Sequence, residues 1–510
     1  MSFIRFKAAK TMKTNVPIIL LLAIASTLIF TNISNQYLWQ DEAETALLAK
    51  NVLQFGYPRA YDGKNLINPP IRTGYAEDYG WRYHPWMQFY ITALSFKIFG
   101  PGTFSARFPF ALLGVINILL LYLLAYQLTR QRFVAICSAF LMTMSVPYLL
   151  LMRQCRYYAP AIFLILFAIL FYSKYQEEKS TGNLAFFSLA LILLGYTVHG
   201  MFVPMYAAIG LHYLTFAFEK KTFPKTAVAG VIVLAAVLPW FLYSNSGAHV
   251  ADITLERIRK NLEFELRMIN KYLFPVFFFM AMYFARGLWK RRWTIRLLPA
   301  EKNALKIISA VLLMSLAAFG FAQERNLRYL VYFIPLLSII QGLILLRLMR
   351  FNRLLLVTFL TLSIFTGVFN MGRFEMFLPK YIYEITHDYD GPIEGIVTFL
   401  NKNASPGDVV KITYGDMPVI FYTGLEVDNT RIFDEEHLPE WIVFRRWWDG
   451  KQLLWDAYFQ EVNRTYNKHV LDYPDIPWEN RPGDLGYHRF STDREAPNII
   501  IFERREKGTS

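Results

Sequence analysis

The sequence predicts a mainly α-helical, polytopic membrane protein with a C-terminal α/β domain outside the membrane. Three observations support this fold class. Hydrophobic residues make up 55% of the 510 residues and charged residues only 18%, below the roughly 25% of soluble domains. Apolar runs near the ~20 residues needed to cross a bilayer recur as far as residue 372. The residues after 374 are more charged and contain strand-like alternations.

About eleven membrane spans are predicted. They lie near residues 15–33, 104–128, 133–152, 158–175, 183–200, 201–217, 226–244, 271–289, 304–322, 330–348 and 354–372. With a cytoplasmic N-terminus, basic loops such as Lys290-Arg291-Arg292 fall inside, as the positive-inside rule requires. The first run reads as an uncleaved anchor rather than a signal peptide, because it continues past its small-residue triplet.

With a cytoplasmic N-terminus, an odd number of spans places the C-terminal domain outside. Residues 1–374 form the predicted membrane domain, with 34–103 as its first outer loop, and residues 375–510 form the soluble domain. The net charge of +14 resides in the membrane domain, because residues 375–510 are net acidic. This excess of positive charge indicates residues that orient the spans and bind phosphate, and no nucleic-acid motif is present.

The two cysteines, Cys137 and Cys155, form no disulfide framework or zinc spacing.

The first outer loop carries the pair Asp41-Glu42 at a membrane exit, where charge tends to mark function. Asp41 with Glu44 has the form of an N-cap and its N3 partner. An apolar stripe follows up to Gly56, so we predict an amphipathic helix lying in the interface. A second helix is predicted from Pro85 to Phe99.

Shorter patterns predict the elements of the tail. Ile393–Leu400 is helix-like, whereas 408–414 and 419–422 alternate as strands do. Residues 498–502 predict a final buried strand. The aromatic, charged and Pro-rich stretch 430–490 gives no assignable pattern.

Two arginine pairs break the positive-inside rule, because Arg153 with Arg156 and Arg325 with Arg328 lie on short outer loops. Each pair has i, i+3 spacing, which puts both guanidinium groups on one helical face. Arginine suits bidentate phosphate contacts, so these residues predict a phosphate clamp. Pairing with nearby carboxylates such as Glu324, or with lipid headgroups, is the alternative.

This set of residues fits transfer of a sugar from a lipid phosphate. The phosphate leaves as a stable anion, so only the incoming acceptor needs a base, and one carboxylate suffices. Asp41 lies at the water–membrane boundary where such a base must sit, and basic groups neutralise the departing phosphate. A structural helix cap is the alternative role for Asp41.

The chain resembles the type C glycosyltransferases, specifically the family 39-like branch of protein O-mannosyltransferases and aminoarabinose transferases. The matching segments are Asp41-Glu42, Tyr83-His84-Pro85, Phe99-Gly100, 105–112, Arg153-Gln-Cys-Arg156-Tyr157-Tyr158, Thr197-Val-His199, Arg325-Asn-Leu-Arg328-Tyr329, Pro335 and Phe421-Tyr-Thr-Gly424. The resemblance implies inverting transfer from a polyprenyl-phosphate sugar on the periplasmic face. It implies Asp41 as general base, Glu42 positioning acceptor or base, and Tyr157 lining the donor pocket. Tyr157 and Tyr158 stand where the family often has a second Asp, which shifts acceptor contacts to other groups.

Further candidates are open to two interpretations. His84 and His199 are predicted either to contact substrate or to pack. Lys64 and Arg82 are predicted either to extend the phosphate clamp or to be solvated loop charges. No cofactor is expected to be required; a divalent metal on Asp41, Glu42, His84 and His199 is the alternative.

Two alternative functions remain open at the level of sequence. Trp447-Trp448-Asp449-Gly450 resembles part of an oligosaccharyltransferase signature, although the Tyr of that signature is missing. A non-catalytic transporter or flippase of polyprenyl-linked sugars is the second alternative. Such a protein would carry polar groups at both faces of the membrane and through the spans, whereas here the polar residues gather at one face. The sugar is not determined, and a lipid, a glycan or a protein remains possible as the acceptor.

Overall fold

The computed structural model describes residues 16–67, 74–244, 254–275, 297–323, 325–364, 376–428, 438–445, 462, 464–476, 485 and 488–505. These residues are mainly helical. The helices are α1 (Val16–Phe30), α2 (Gln40–Phe55), α3 (Met87–Phe99), α4 (Thr103–Thr129), α5 (Arg132–Thr143), α6 (Val146–Met152), α7 (Tyr158–Glu178), α8 (Thr181–Gly195), α9 (His199–Phe216), α10 (Phe223–Tyr243), α11 (Leu255–Met268), α12 (Pro299–Gly320), α13 (Ile334–Phe351), α14 (Arg353–Ile364), α15 (Phe377–Thr386), α16 (Pro392–Asn403) and α17 (Asp416–Thr423). A π-helical turn (Ile269–Leu273) follows α11, and a 3-10 helix (Leu327–Phe333) precedes α13.

Five helical segments in the described part are long and apolar enough to cross a membrane: Thr103–Thr129, Tyr158–Glu178, Phe223–Tyr243, Pro299–Gly320 and Leu327–Met349. α1 and α8 are apolar but shorter. The predicted spans near 271–289 and 354–372 lie largely or partly outside the described residues. A polytopic helical protein is therefore confirmed, whereas the count of eleven spans stays a prediction.

The predicted span 133–152 is not one straight helix. It consists of α5 and α6, which meet at an angle of 67°. Ser145 is extended and Pro147 lies in the first turn of α6. Proline has no N–H and its ring clashes with the preceding turn, so a helix does not continue straight through it. The bend brings the end of α6, and with it Arg153 and Arg156, next to residues 29–45.

The first-loop helix differs from the predicted amphipathic helix. α2 begins at Gln40 after an extended Trp39, without a side-chain cap, so the prediction of Asp41 as N-cap is wrong. Both apolar and polar residues of α2 are buried, because α3 packs on one side and α17 on another. The helix ends as predicted at Gly56, whose φ of +84° is the left-handed conformation that glycine adopts without strain.

The C-terminal residues form a five-stranded mixed sheet in the order β2-β1-β3-β5-β4. The strands are β1 (Val409–Ile412), β2 (Glu426–Asp428), β3 (Trp441–Phe444), β4 (Tyr466–Pro474) and β5 (Asn498–Arg504). β1 is parallel to β2 and β3, whereas β5 is antiparallel to β3 and β4. The predicted helix at 393–400 and the strands at 408–414 and 498–502 are confirmed. The strand predicted at 419–422 is wrong, because these residues belong to α17.

Helix α17, which lies between β1 and β2 in the chain, packs on α2 and holds the start of α2 in place. Tyr422 Oη accepts a hydrogen bond from Leu38 N at 2.9 Å. Gln40 Nε2 donates to Asp416 Oδ1 at 2.6 Å. These contacts flank Asp41 and fix the direction of the first turn of the helix.

Candidate active site

Three separate segments bring charged side chains together at the start of α2. They are the first turn of α2, the link between α6 and α7, and the 3-10 helix 327–333. We call their charged residues the carboxylate–arginine cluster: Asp41, Glu44, Arg156 and Arg328. The cluster combines residues far apart in the chain, and the sequence analysis predicted three of its four members as functional residues.

Asp41 is the part of the cluster that remains accessible. Its side chain is 27% exposed, whereas that of Arg328 is 12% and that of Arg156 is 2% exposed. Arg328 Nη1 donates to Asp41 Oδ2 at 2.8 Å. Asn326 caps the 3-10 helix by accepting from Arg328 N at 3.0 Å, which sets the backbone from which this guanidinium extends. The carboxylate also lies in the first turn of a helix, where the helix dipole favours a negative charge.

Arg156 forms the buried side of the cluster. Its Nη1 donates to the Asp41 carbonyl at 3.0 Å, to Thr45 Oγ1 at 3.2 Å and to Glu44 Oε1 at 3.4 Å. Its Nη2 lies 3.7 Å from Asp41 Oδ2 and 3.4 Å from His84 Nε2. Burial alone lowers the pKa of Arg156, but the Asp41 and Glu44 carboxylates outweigh burial and raise it. Arg156 therefore stays a permanent buried cation.

Aromatic rings enclose this charge. The Arg156 guanidinium lies 5.2 Å from the Tyr157 ring centroid, and that of Arg328 lies 5.3 Å from Tyr329. The His84 ring lies 6.0 Å from Tyr157. Burial raises the pKa of the Tyr157 hydroxyl well above its ordinary value, so the phenol stays neutral. The structure therefore places His84 and Tyr157 beside the cluster, and their predicted contacts with substrate stay predictions.

Glu42 forms a buried ion pair with Arg107, and its predicted role in positioning the acceptor or the base stays a prediction. It is fully buried and forms a bidentate pair with Arg107, with N···O distances of 2.9 and 2.6 Å. Glu42 Oε1 also accepts from Cys155 N at 2.8 Å. Arg107 in turn donates to the carbonyls of Ile33, Gln36 and Tyr37. The pair locks the strap between α1 and α2, residues 31–39.

Arg153 contacts backbone carbonyls at the end of α1, and its predicted role in phosphate binding stays a prediction. Its guanidinium donates to the Ile29 carbonyl at 2.7 Å, to Thr31 at 2.8 Å and to Asn32 at 2.9 Å. The last carbonyls of a helix lack intrahelical partners, so a cation placed there stabilises the end of α1. Arg153 therefore caps α1, while only Arg156 of this pair reaches the cluster.

The capping role of Arg153 predicts a stability effect. We expect Arg153→Gln to lower the free energy of unfolding by about 2 kcal/mol, because a charged donor to several carbonyls is lost. Thermal unfolding in detergent measures the change, with the exposed Arg489→Gln as control. A phosphate-binding Arg153 would instead leave stability unchanged and weaken donor binding.

Four other predicted residues lie outside the cluster. Arg325 Nε donates to Asn261 Oδ1 at 2.8 Å. Lys64 Nζ reaches the Pro406 and Gly424 carbonyls at 3.3 Å and ties the first loop to the C-terminal segment. Arg82 Nε donates to the Tyr243 carbonyl at 2.6 Å. The His199 ring stacks on Phe241 at 4.2 Å. These contacts are local packing and bonding, and the predicted substrate contacts of Lys64, Arg82 and His199 stay predictions.

The sequence analysis missed the roles of Glu44 and Tyr329. Glu44 was interpreted as a capping residue, yet it lies one helical turn from Asp41 and pairs with Arg156. Tyr329 Oη accepts from Arg328 Nη2 at 3.4 Å and shapes the cluster beside Asp41. The i, i+3 spacing of Asp41 and Glu44 was the signal available for the first. Across the described residues no group of three or more His, Cys, Asp or Glu side chains has metal-binding geometry.

Comparison with known proteins gives matches at the level of family and fold. A family model described as dolichyl-phosphate-mannose-protein mannosyltransferase matches residues 83–243, which include His84, Arg156 and Tyr157. A protein of Aquifex aeolicus (strain VF5) described as uncharacterized is 28% identical over 225 residues, which are 42% of this chain and 41% of that protein.

Two crystal structures of ArnT from Cupriavidus metallidurans resemble the whole chain. The form bound to undecaprenyl phosphate superposes with a TM-score of 0.60 at 13% identity and covers 96% of this chain and 98% of that one. The apo form superposes with a TM-score of 0.54 at 14% identity and covers 95% and 97%. The resemblance to the type C glycosyltransferases predicted from the sequence is thus confirmed.

Proposed function

We propose that this chain, which has the fold of the type C glycosyltransferases, transfers a sugar from a polyprenyl-phosphate donor to an acceptor on the periplasmic face. The configuration at the sugar carbon is inverted in the transfer. The observation that carries the proposal is the position of Asp41. It is a partly exposed carboxylate held at 2.8 Å by one guanidinium and faced by a second, buried one. A base and a group of phosphate-binding cations thus lie side by side, although they come from three separate segments of the chain.

The charges of the cluster favour an anionic ligand. Asp41 and Glu44 balance Arg156 and Arg328, so the site without substrate is neutral as a set. When a sugar phosphodiester enters, Arg328 moves its N–H donors from Asp41 toward the phosphate oxygens. Guanidinium groups in a water-poor site stabilise the charge that grows on the leaving phosphate. The same movement releases the Asp41 carboxylate to accept a proton.

The reaction then proceeds by a single displacement. The acceptor oxygen attacks C1 of the sugar from the face opposite the phosphate and forms the new C–O bond. The C1–O bond to phosphate breaks, and its electron pair stays on the polyprenyl phosphate. Asp41 takes the acceptor proton, so atoms and charge balance without a second carboxylate. Arginines supply the neutralising charge, so the proposal includes no metal ion.

The proposal extends to architecture and location. We propose eleven spans in residues 1–374, a cytoplasmic N-terminus, a bacterial-type inner membrane, and a periplasmic domain at 375–510. The acceptor is a lipid, a glycan or a protein. The broken span of α5 and α6 supports the outer position of the site, because it ends at the arginine link that faces the first outer loop.

The test is turnover in proteoliposomes with radiolabelled polyprenyl-phosphate mannose, glucose or arabinose and an extract of acceptors. We expect one donor to lose label to an acceptor and sugar-free polyprenyl phosphate to inhibit competitively. Arg328→Gln is expected to lower kcat by about 100- to 1,000-fold, as loss of one charge-stabilising donor does.

The matched control is Arg259→Gln, which removes a guanidinium 67% exposed on α11. It is expected to keep wild-type turnover. Transfer that survives Arg328→Gln unchanged contradicts the assigned site. If no label moves from any of the three donors, the proposed reaction is wrong and transport of polyprenyl-linked sugars becomes the function to test.

A further inference from the structure

The short segment at the end of α17 resembles the type C glycosyltransferases in sequence, but the proposed reaction gives it no role. We call residues 421–424 the docking segment. Its Phe421 ring stacks on Phe96 of α3 at a centroid distance of 6.1 Å. The carbonyl of Gly424, the glycine that ends α17, accepts from Lys64 Nζ at 3.3 Å. Both partners belong to the first outer loop, so the docking segment joins the C-terminal domain to that loop.

Tyr422 is the residue of the docking segment that reaches the strap. Its Oη accepts a hydrogen bond from Leu38 N at 2.9 Å and forms another with Thr103 Oγ1 at 2.7 Å. Its ring stacks on Tyr37 at 4.4 Å with an angle of 25° between the planes. A phenol both accepts and donates, so one hydroxyl completes both bonds. Tyr422 therefore joins three separate segments: α17, the strap and the first turn of α4.

The strap leads directly into the turn that carries Asp41. α2 begins at Gln40 without a side-chain cap, so groups outside the helix hold its first turn. α17 supplies two of these groups, one at each of its ends. Tyr422 holds Leu38 N at one end. At the other end, Asp416 Oδ1 accepts from Gln40 Nε2 at 2.6 Å, directly before Asp41 in the chain.

We propose that α17 positions the Asp41 carboxylate for catalysis and that Tyr422 is the positioning residue. The proposal rests on the proposed function, in which Asp41 takes the acceptor proton. A displacement of a reacting group by about 1 Å can lower a rate about 100-fold. Tyr422 acts through the backbone of residues 38–41 and not by contact with the reacting atoms. The C-terminal domain is then part of the catalytic apparatus, because it supplies the helix that sets the position of the base.

Tyr422→Phe tests the proposal, because it removes the hydroxyl and keeps the ring that stacks on Tyr37. In proteoliposomes with the donor that wild type uses, we expect kcat per folded molecule to fall by about 10- to 100-fold. Binding of sugar-free polyprenyl phosphate should change by less than about twofold, because the assigned phosphate contacts come from Arg156 and Arg328. Circular dichroism and size-exclusion chromatography measure the folded fraction.

A double-mutant cycle with Asp41→Asn separates positioning from a general loss of structure. If Tyr422 acts through Asp41, adding Tyr422→Phe to Asp41→Asn should lower the remaining rate by less than about twofold. The base is then already absent, so its position no longer matters. Two independent effects would multiply instead, and that result overturns the proposal.

Thr103→Val is the matched control, because it removes the second partner of the Tyr422 hydroxyl and keeps a side chain of similar size. Leu38 N keeps its acceptor, so kcat should stay within about twofold of wild type. An equal loss of kcat in Thr103→Val and Tyr422→Phe means that the hydroxyl only holds the fold together, and overturns the proposal. Gln40→Met replaces Tyr422→Phe if that variant does not fold. It removes the bond at the other end of α17 and is expected to lower kcat in the same way.

The remaining outcomes separate the role of Tyr422 from the proposed function. Tyr422→Phe that transfers sugar as fast as wild type overturns the positioning role and leaves the proposed function intact. Tyr422→Phe that loses donor binding together with kcat assigns the residue to the donor site or to the fold as a whole, and also overturns the positioning role. Wild type that transfers no sugar from any donor overturns the proposed function and the role of Tyr422 with it.

Discussion

Asp41→Asn is expected to lower kcat by about 100- to 10,000-fold, the contribution of a positioned general base. Asparagine keeps the size of the side chain and an oxygen that accepts from Arg328, but its amide does not take a proton. Donor binding should persist, because the phosphate contacts come from Arg156 and Arg328. Single-turnover transfer and donor binding, measured on the same preparation, separate these two effects.

Two controls make this prediction specific to Asp41. Glu77→Gln removes an exposed carboxylate of the same outer loop and is expected to leave transfer unchanged. Glu44→Gln removes one of the two carboxylates beside Arg156 and is expected to affect donor binding more than kcat, because Glu44 does not reach the reacting atoms. If Asp41→Asn transfers sugar at the wild-type rate, Asp41 is only the first-turn acid of α2.

Part of the site could be predicted from sequence, because the predicted spans assign each charged residue to one side of the membrane. Arg156 and Arg328 stood out because basic residues on short outer loops oppose membrane orientation and need another reason to be there. Asp41 stood out because a carboxylate at a membrane exit is costly. Such arguments use only the position of a residue along the chain, so they do not require knowledge of how the helices pack.

The groups that each side chain contacts could not be predicted in the same way. Arg153 and Arg156 look equivalent in sequence, yet α6 ends at Met152, so the two do not share a helical face. Arg153 contacts the end of α1, and Arg156 contacts Asp41. Glu42 follows Asp41 directly, but successive helical residues point about 100° apart, so the two carboxylates face different neighbours. The strand predicted at 419–422 failed because a short apolar run does not distinguish a strand from a buried helix.

Glu42→Ala is expected to destabilise the protein by about 3–5 kcal/mol, the effect of leaving a buried cation without its partner. Arg107 would remain nearly buried with its three bonds to backbone carbonyls and without its two bonds to Glu42, and Cys155 N would lose its acceptor. Glu177→Ala is the matched control, because its pair with Arg130 is about half exposed at both ends. We expect Glu177→Ala to lower the free energy of unfolding by less than about 1 kcal/mol. Unfolding in detergent, followed by circular dichroism, measures both.

Activity of Glu42→Gln separates a structural from a catalytic role for Glu42. The amide keeps one acceptor for Arg107 and so preserves part of the strap between α1 and α2. A structural Glu42 predicts that kcat per folded molecule stays near wild type while the unfolding temperature falls. A Glu42 that positions the acceptor predicts the reverse, normal stability with a large loss of kcat. The second result would mean that the buried pair opens during turnover, and the assignment of Glu42 to the strap would be wrong.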